Sequence, residues 1–268
     1  MSSNLSVPRI QKCIDEFLPI IRPMAKGRYA ITIGGSHGKR TFDEHSDVDF
    51  RLFCDEFVDG PNFLESDSWK VLVGAVEKWR ANGIEVDYCW VRTVDEINRS
   101  LDAWFDGNIN PVPYAWTVWG YHVLTDINNQ MVIEDLDGLI QGWQERLAHY
   151  PPKLKKAILD KHCGSLRYWR TDYHYQNKVT RRDPVFLAGL TARLVHDILQ
   201  ILFALDETYY VGDGNNLKYA AHFKLKPANF QERVEEILYP RPVEDRLECQ
   251  YMMLGQLIDD TLQLVAAS

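Results

Sequence analysis

Apolar positions along this chain recur with two different periods, and the change from one to the other divides it. From Val7 to Met24, the residues Ile10, Cys13, Ile14, Phe17 and Leu18 fall at helical spacing, and Pro23 and Gly27 close the segment. An apolar run from Tyr29 to Ile33 then breaks at Gly34-Gly35-Ser36. A polar stretch leads on to Asp47-Val48-Asp49-Phe50-Arg51-Leu52-Phe53, which alternates as a strand does. The Asp-, Gly-, Pro- and Asn-rich stretch from Asp55 to Asp67 reads as a loop, and Ser68 to Ala81 reads as a helix ended by Asn82-Gly83. Ile84 to Val91 is a strand by its β-branched and aromatic content. A helix is predicted from Asp95 to Phe105, a break from Asn108 to Pro113, a strand or strand pair from Trp116 to Thr125, and a turn from Asp126 to Gln130.

Beyond Val132 the spacing is helical throughout. The pattern predicts one helix from Ile133 to Tyr150, stopped by Pro151-Pro152, and a second from Lys153 to Lys178. A third opens with Asp183 as N-cap and Pro184 in its first turn. Its stripe of Phe186, Leu187, Leu190, Leu194, Ile198, Ile201, Leu202 and Leu205 marks a helix facing a bundle core. A loop over Gly212 to Asn216, a short helix through Ala221, and helices from Phe230 to Leu238 and Val243 to Ala267 complete the pattern. The expected fold is therefore α+β: a mixed-sheet domain with flanking helices over residues 1–130, followed by an all-α bundle over residues 131–268.

The chemistry concentrates between the first two strands. Alternation puts Asp47 and Asp49 on one face of a strand while Val48 enters the core. Carboxylates held side by side repel unless a cation sits between them. Mg²⁺ suits such an all-oxygen site because it keeps room for water and phosphate oxygens. The preceding glycines let backbone N–H groups approach a triphosphate closely. A lone Asp-x-Asp would read as an exposed acidic strand; Gly34-Gly35-Ser36 at this spacing makes it a candidate phosphate and metal site.

Gly35-Ser36, a spacer and then Ser46-Asp47-Val48-Asp49 resemble the signature of the DNA-polymerase-β-type nucleotidyltransferase superfamily, whose small bacterial members include adenylyltransferases of aminoglycosides and lincosamides. Where many members carry Arg-Gly after the Ser, this chain has Lys39-Arg40, with a glycine at Gly38. The resemblance implies two Mg²⁺ ions held by Asp47 and Asp49, ATP as the donor of AMP, and a third carboxylate on a neighbouring strand. Asp87 fits that third place best, and Glu85, two residues earlier on the same face, is a candidate supporting group or base. Gly35 and Ser36 would hold phosphates, with Lys39 or Arg40 offsetting charge. Small members are often dimers, so a homodimer is a candidate assembly.

The helical half resembles the C-terminal half of a bacterial family known only as a domain of unknown function, above all from Tyr168 to Asp183. On one helix Arg167, Arg170, His174 and Asn177 would share a stripe. Arg170 and its neighbours could then meet a triphosphate, whose geometry suits arginine's planar fork, and Tyr173 or Tyr175 could stack on a base. Alternatively the stripe is a solvated face. His196, on the core helix, reads as a packing histidine, and Lys153, Lys155 and Lys156 read as solvated charges.

Composition narrows the partners. With 30 Lys and Arg against 38 Asp and Glu, the net charge is −8, which argues against a protein that tracks nucleic-acid backbones and is compatible with a cationic small acceptor. No apolar run approaches bilayer length, so no membrane association is expected. The five cysteines are scattered without a Cys-x-x-Cys, as reduced thiols in a cytoplasmic protein. The reading is a nucleotidyltransferase moving AMP from a nucleoside triphosphate to a hydroxyl of a small-molecule acceptor. A protein acceptor, as in a regulator or a toxin–antitoxin pair, and a nucleotide sensor without turnover are the alternatives.

Overall fold

Strand β1 (Ala25–Ile33) has a partner on each side, and the first half of the chain is assembled around it. In the computed structural model, which describes residues 7–43, 45–109, 117–120, 123–212, 214–239 and 246–267, the other strands are β2 (Val48–Phe57), β3 (Val86–Thr93) and β4 (Met131–Glu134). Their order is β3-β2-β1-β4, with β2 and β4 antiparallel to β1 and β3 parallel to β2. This is a mixed four-stranded sheet, and the chain is α+β. By packing it divides into two units, residues 1–102 with 123–149, and residues 103–122 with 150–268.

In the first unit, helices α1 (Val7–Ile21) and α3 (Asp67–Ala81) cover one face of the sheet. Strand alternation turns Val48, Phe50 and Leu52 toward them, where Phe50 stacks on Phe17 with ring centroids 4.9 Å apart. The opposite face carries Asp49, Arg51 and Phe53, and it meets α5 (Val123–Asn128) and α6 (Leu139–Leu147): Phe53 packs edge-on against Trp143 at 5.4 Å. A single turn of helix, α2 (Gly35–Gly38), and helix α4 (Val94–Phe105) complete the helices of this part of the chain.

Several expectations are corrected here. β2 continues through Phe57 where a loop was expected from Asp55, because Ala25 and Lys26 of β1 supply partners for Phe57 and Glu56. Gly60–Glu65 then forms a 3₁₀ segment. The expected strand from Trp116 to Thr125 is not formed in the residues described: 117–120 are irregular and Val123 opens helix α5; Trp116, Tyr121 and His122 lie outside the described residues, as do positions 110–113 of the expected break. Val123–Asn128 is helix despite its β-branched residues, so tertiary context overrides local β-propensity there. Met131–Glu134 in turn is strand, running into the helix expected from Ile133, and the helix that follows begins only at Leu139, with Asp135 accepting from the amides of Leu139 and Ile140. The boundary expected near residue 130 falls inside the first unit, since β4 belongs to the sheet.

The second unit packs helices α7 (Pro152–Thr171), α8 (Tyr173–Thr180), α9 (Pro184–Leu205), α10 (Asn216–Ala220), α11 (Phe230–Leu238) and α12 (Arg246–Ala267) around one apolar core. α9 starts as expected, its N-cap Asp183 accepting from the Phe186 amide at 3.2 Å. At 22 residues it is long and apolar enough to cross a bilayer, contrary to the expectation from the sequence, yet it is the core helix of this unit, with Leu194, Ile198, Ile201 and Leu202 all fully enclosed. The single helix expected from Lys153 to Lys178 is two. Asp172 adopts an extended backbone (ψ 124°) and its side chain accepts from the Tyr175 amide, ending α7 and capping α8. Cys13, Cys54, Cys89 and Cys163 are buried free thiols, and burial pushes the first three up to about 12.

Candidate functional site

Asp47, Asp49 and Asp87 converge on the sheet face that carries Phe53 and Arg51, each offering a carboxylate oxygen within 4.8 Å of the others. Asp47 immediately precedes β2 and Asp49 is its second residue, so alternation alone brings these two together. Asp87 joins them because β3 pairs parallel to β2 with Val86 opposite Val48, which puts the next residue of each strand on the same face. Val48 pairs with Val86 and Phe50 with Cys89, so two residues of β3, Asp87 and Tyr88, oppose the single Asp49 of β2, and Tyr88 takes a positive φ of 36°. The bulge after Asp87 keeps Val86 and Cys89 both in the core; an unbroken alternation would have put Cys89 on the acid face. Glu85 does not join the group. It lies before the strand and accepts from Arg80 Nε at 2.6 Å.

The turn after β1 is fitted closely around Asp49. The Gly34 amide donates to the Asp49 carbonyl at 2.9 Å. Gly35 has φ +55°, and a Cβ there would stand 1.8 Å from Asp49 Oδ2, so both backbone and space require glycine. Ser36 Oγ and His37 Nε2 are buried without a hydrogen-bond partner, and the His37 ring stacks on Phe42 at 4.7 Å. Lys39 is half-buried, and burial holds its ammonium below the usual lysine range against the opposing pull of Asp126 and Asp49. Arg40 is exposed with φ 58°.

Two residues here were missed in the sequence. Arg51 is nearly enclosed, with Nε 3.2 Å from Asp126 Oδ2, Nη2 3.4 Å from Asp49 Oδ1, and Cζ 5.4 Å from the Trp90 ring centre. Its place was legible, since it stands two residues beyond Asp49 on the same strand face. Asp126 was not, because the sequence around it reads only as a turn. In the fold it sits in α5, anchored by Gln130 Nε2, which donates to its carbonyl at 2.6 Å while Gln130 Oε1 accepts from Thr32 on β1.

The electrostatics suit a cation. Burial, followed by the charge of Asp49, raises the Asp47 carboxyl to about 6. Burial also raises Asp49, with Asp126 and Asp87 adding to the rise and Arg51 opposing it. Lys39 acts on Asp126 and Asp49, and Arg51 on Asp47 and Asp49, opposing the charge that these carboxylates and Asp87 bring together. Three oxygen donors on a rigid strand pair, two of them partly desolvated, fit a hard divalent ion that retains water ligands.

Arg170 and His174 belong to the second unit. The break at Asp172 dissolves the stripe that would have aligned them. Arg170 forks onto Asp259 at 3.0 and 2.9 Å, across the bare Cα of Gly255. His174 is exposed, with Nδ1 3.5 Å from Asp172. Tyr175 is a core residue, unavailable for stacking on a base, whereas Tyr173 is exposed. His196 packs as expected, stacked on Trp119 at 4.3 Å. The three lysines after Pro152 form ion pairs with Asp106, Glu207 and Asp160.

Residues 116–213 match a family model described as a domain of unknown function (DUF4037), a span that includes the stretch from Tyr168 to Asp183. No curated protein matches the chain. A nucleotidyltransferase-like protein from Exiguobacterium sibiricum 255-15 is similar in structure at 9% sequence identity, with a TM-score of 0.46 over 95% of this chain and 74% of that one.

Proposed function

We propose that this chain is a metal-dependent nucleotidyltransferase that moves AMP from ATP to a hydroxyl of a small acceptor, of which an aminoglycoside or lincosamide is the first candidate. The observation that carries the reading is the meeting of Asp47, Asp49 and Asp87 beside the Gly34–Gly38 turn. Mg²⁺ held by these carboxylates supplies charge neutralisation to the triphosphate and acidifies the acceptor hydroxyl. The remaining work falls to the chain itself. Ser36 is half-exposed while its Oγ is turned inward and unpaired, so a rotation about χ1 presents the hydroxyl to a phosphate oxygen. Lys39, with its ammonium partly desolvated, offsets phosphate charge more strongly than a fully hydrated one would. The acceptor oxygen bonds to the α-phosphorus, the bond from that phosphorus to the bridging oxygen breaks, pyrophosphate leaves with the electron pair, and the hydroxyl proton passes to water. A site with this surplus of carboxylates also favours a cationic acceptor.

The test is pyrophosphate release from Mg²⁺-ATP in the presence of pooled aminoglycosides and lincosamides. Release that requires Mg²⁺, an antibiotic and an intact Asp49 is the expected result. Release unchanged in Asp49→Ala, or failure of the protein to bind ATP, refutes the reading. ATP binding without release moves the acceptor to another class.

A further inference from the structure

Arg51 stands in an unusual position for a cation beside a metal site. Its guanidinium is shared between two carboxylates, and both contacts are long: 3.2 Å to Asp126 and 3.4 Å to Asp49. A charge-assisted N–H···O bond normally closes to about 2.7–2.9 Å, and an arginine facing one carboxylate normally takes it with two parallel bonds. Here the side chains are 7% (Arg51), 13% (Asp49) and 11% (Asp126) exposed, so water screens the attraction little. Nη1 is further held by the Phe50 carbonyl at 3.2 Å. The pair packs over Gly34, where a Cβ would stand 2.8 Å from Asp126 Oδ1 and 3.1 Å from Arg51 Nε. Asp126 thus competes with Asp49 for one buried guanidinium.

We propose that Asp126 is a positioning residue that holds Arg51 off Asp49 and so keeps the Asp49 carboxylate available to a divalent cation. The proposal rests on the reading of Asp47, Asp49 and Asp87 as a metal site. Without the charge of Asp126, Arg51 swings fully onto Asp49, pairs with both of its oxygens and neutralises a ligand. Asp126 acts from a helix, α5, that is tied to β1 through Gln130 and Thr32, so its reach toward Arg51 is set by the fold and does not depend on the nucleotide.

The test is a double-mutant cycle on the full chain, with Mn²⁺ binding read by calorimetry in wild type, Asp126→Asn, Arg51→Gln and the double variant. Asp126→Asn is expected to bind Mn²⁺ about tenfold more weakly, the usual scale for losing an outer partner of a metal ligand. Arg51→Gln is expected to recover affinity in the Asp126→Asn background by a larger factor than it changes affinity in wild type. That inequality separates the proposal from simple loss and gain of charge near the ion, which would give equal factors in both backgrounds. Equal factors, or an Asp126→Asn variant that binds as wild type does, overturn it. Arginine side-chain NMR supplies a second readout that needs neither metal nor the Arg51→Gln variant to fold. In Asp126→Asn the Arg51 Nη protons should become protected from exchange as they close on Asp49, and unchanged Arg51 signals refute the proposal. Wild type that binds no Mn²⁺ while the NMR change appears would end the metal reading and leave the Arg51 arrangement standing.

Discussion

Replacing Gly35 by alanine tests the site at its tightest point. Two costs are involved, and the structure separates them. The first is the left-handed backbone, φ +55°, which costs a non-glycine residue about 1–2 kcal/mol. The second is collision: the new Cβ would lie 1.8 Å from Asp49 Oδ2, whereas real Cβ atoms essentially never sit closer than 3.0 Å, so the carboxylate must retreat by at least 1.2 Å. Gly60 is the internal control, because its φ is +58° and nothing lies within 4 Å of its Cβ position. Gly60→Ala should therefore lose about 1–2 kcal/mol in urea unfolding and keep metal binding and activity intact. Gly35→Ala should lose at least as much stability and, in addition, displace a metal ligand by more than an ångström. A misplacement of that size costs about a hundredfold in rate. The assay pairs urea unfolding with Mn²⁺ calorimetry on both variants. Gly35→Ala binding Mn²⁺ as tightly as Gly60→Ala would show that Asp49 is not held against the turn, and the geometric argument would fail.

Other outcomes follow from the same geometry. Asp47 titrates at about 6 in the folded chain against 3.8 for the free group, so its proton competes with metal: affinity should be level above pH 7 and fall by about tenfold per unit below 6, measured by Mn²⁺ titration across pH. A raised carboxyl carries its penalty only when ionised. In the metal-free protein the penalty is absent below 3.8 and grows as pH rises to about 6, by at most about 3 kcal/mol. Asp47→Asn should accordingly flatten that part of the Tm-versus-pH curve. Asp87→Asn should raise the Tm of metal-free protein by relieving like-charge repulsion and abolish the Tm increase on adding Mg²⁺, both visible by calorimetric scanning. In the helical unit, Asp183→Ala removes the α9 cap to the Phe186 amide and should destabilise by about 1 kcal/mol in urea unfolding, with no change in Mn²⁺ affinity.

The sequence determined by itself whatever depends on neighbours along the chain. Asp47 and Asp49 share a face because a strand alternates. The turn at Gly34-Gly35-Ser36 is legible because its glycines permit what other residues do not. Asp183 announces α9, and α11 runs over the residues from Phe230 to Leu238 read from their spacing alone. Tertiary structure decided what depends on distant partners. Met131–Glu134 is a strand only because β1 has an open edge, and Phe57 stays in β2 because Ala25 lies opposite it. Asp172 breaks a helix that its neighbours' spacing would have continued. Asp87 stands beside Asp49 because β3 pairs with β2 in the register that sets Val86 opposite Val48, and Asp126 reaches Arg51 from a helix 75 residues further along the chain. The physical reason is the same in each case. Backbone geometry sets which way a side chain points from its own strand or helix, but which groups it meets is decided by pairing and burial between segments, whose free energies are summed over the whole fold.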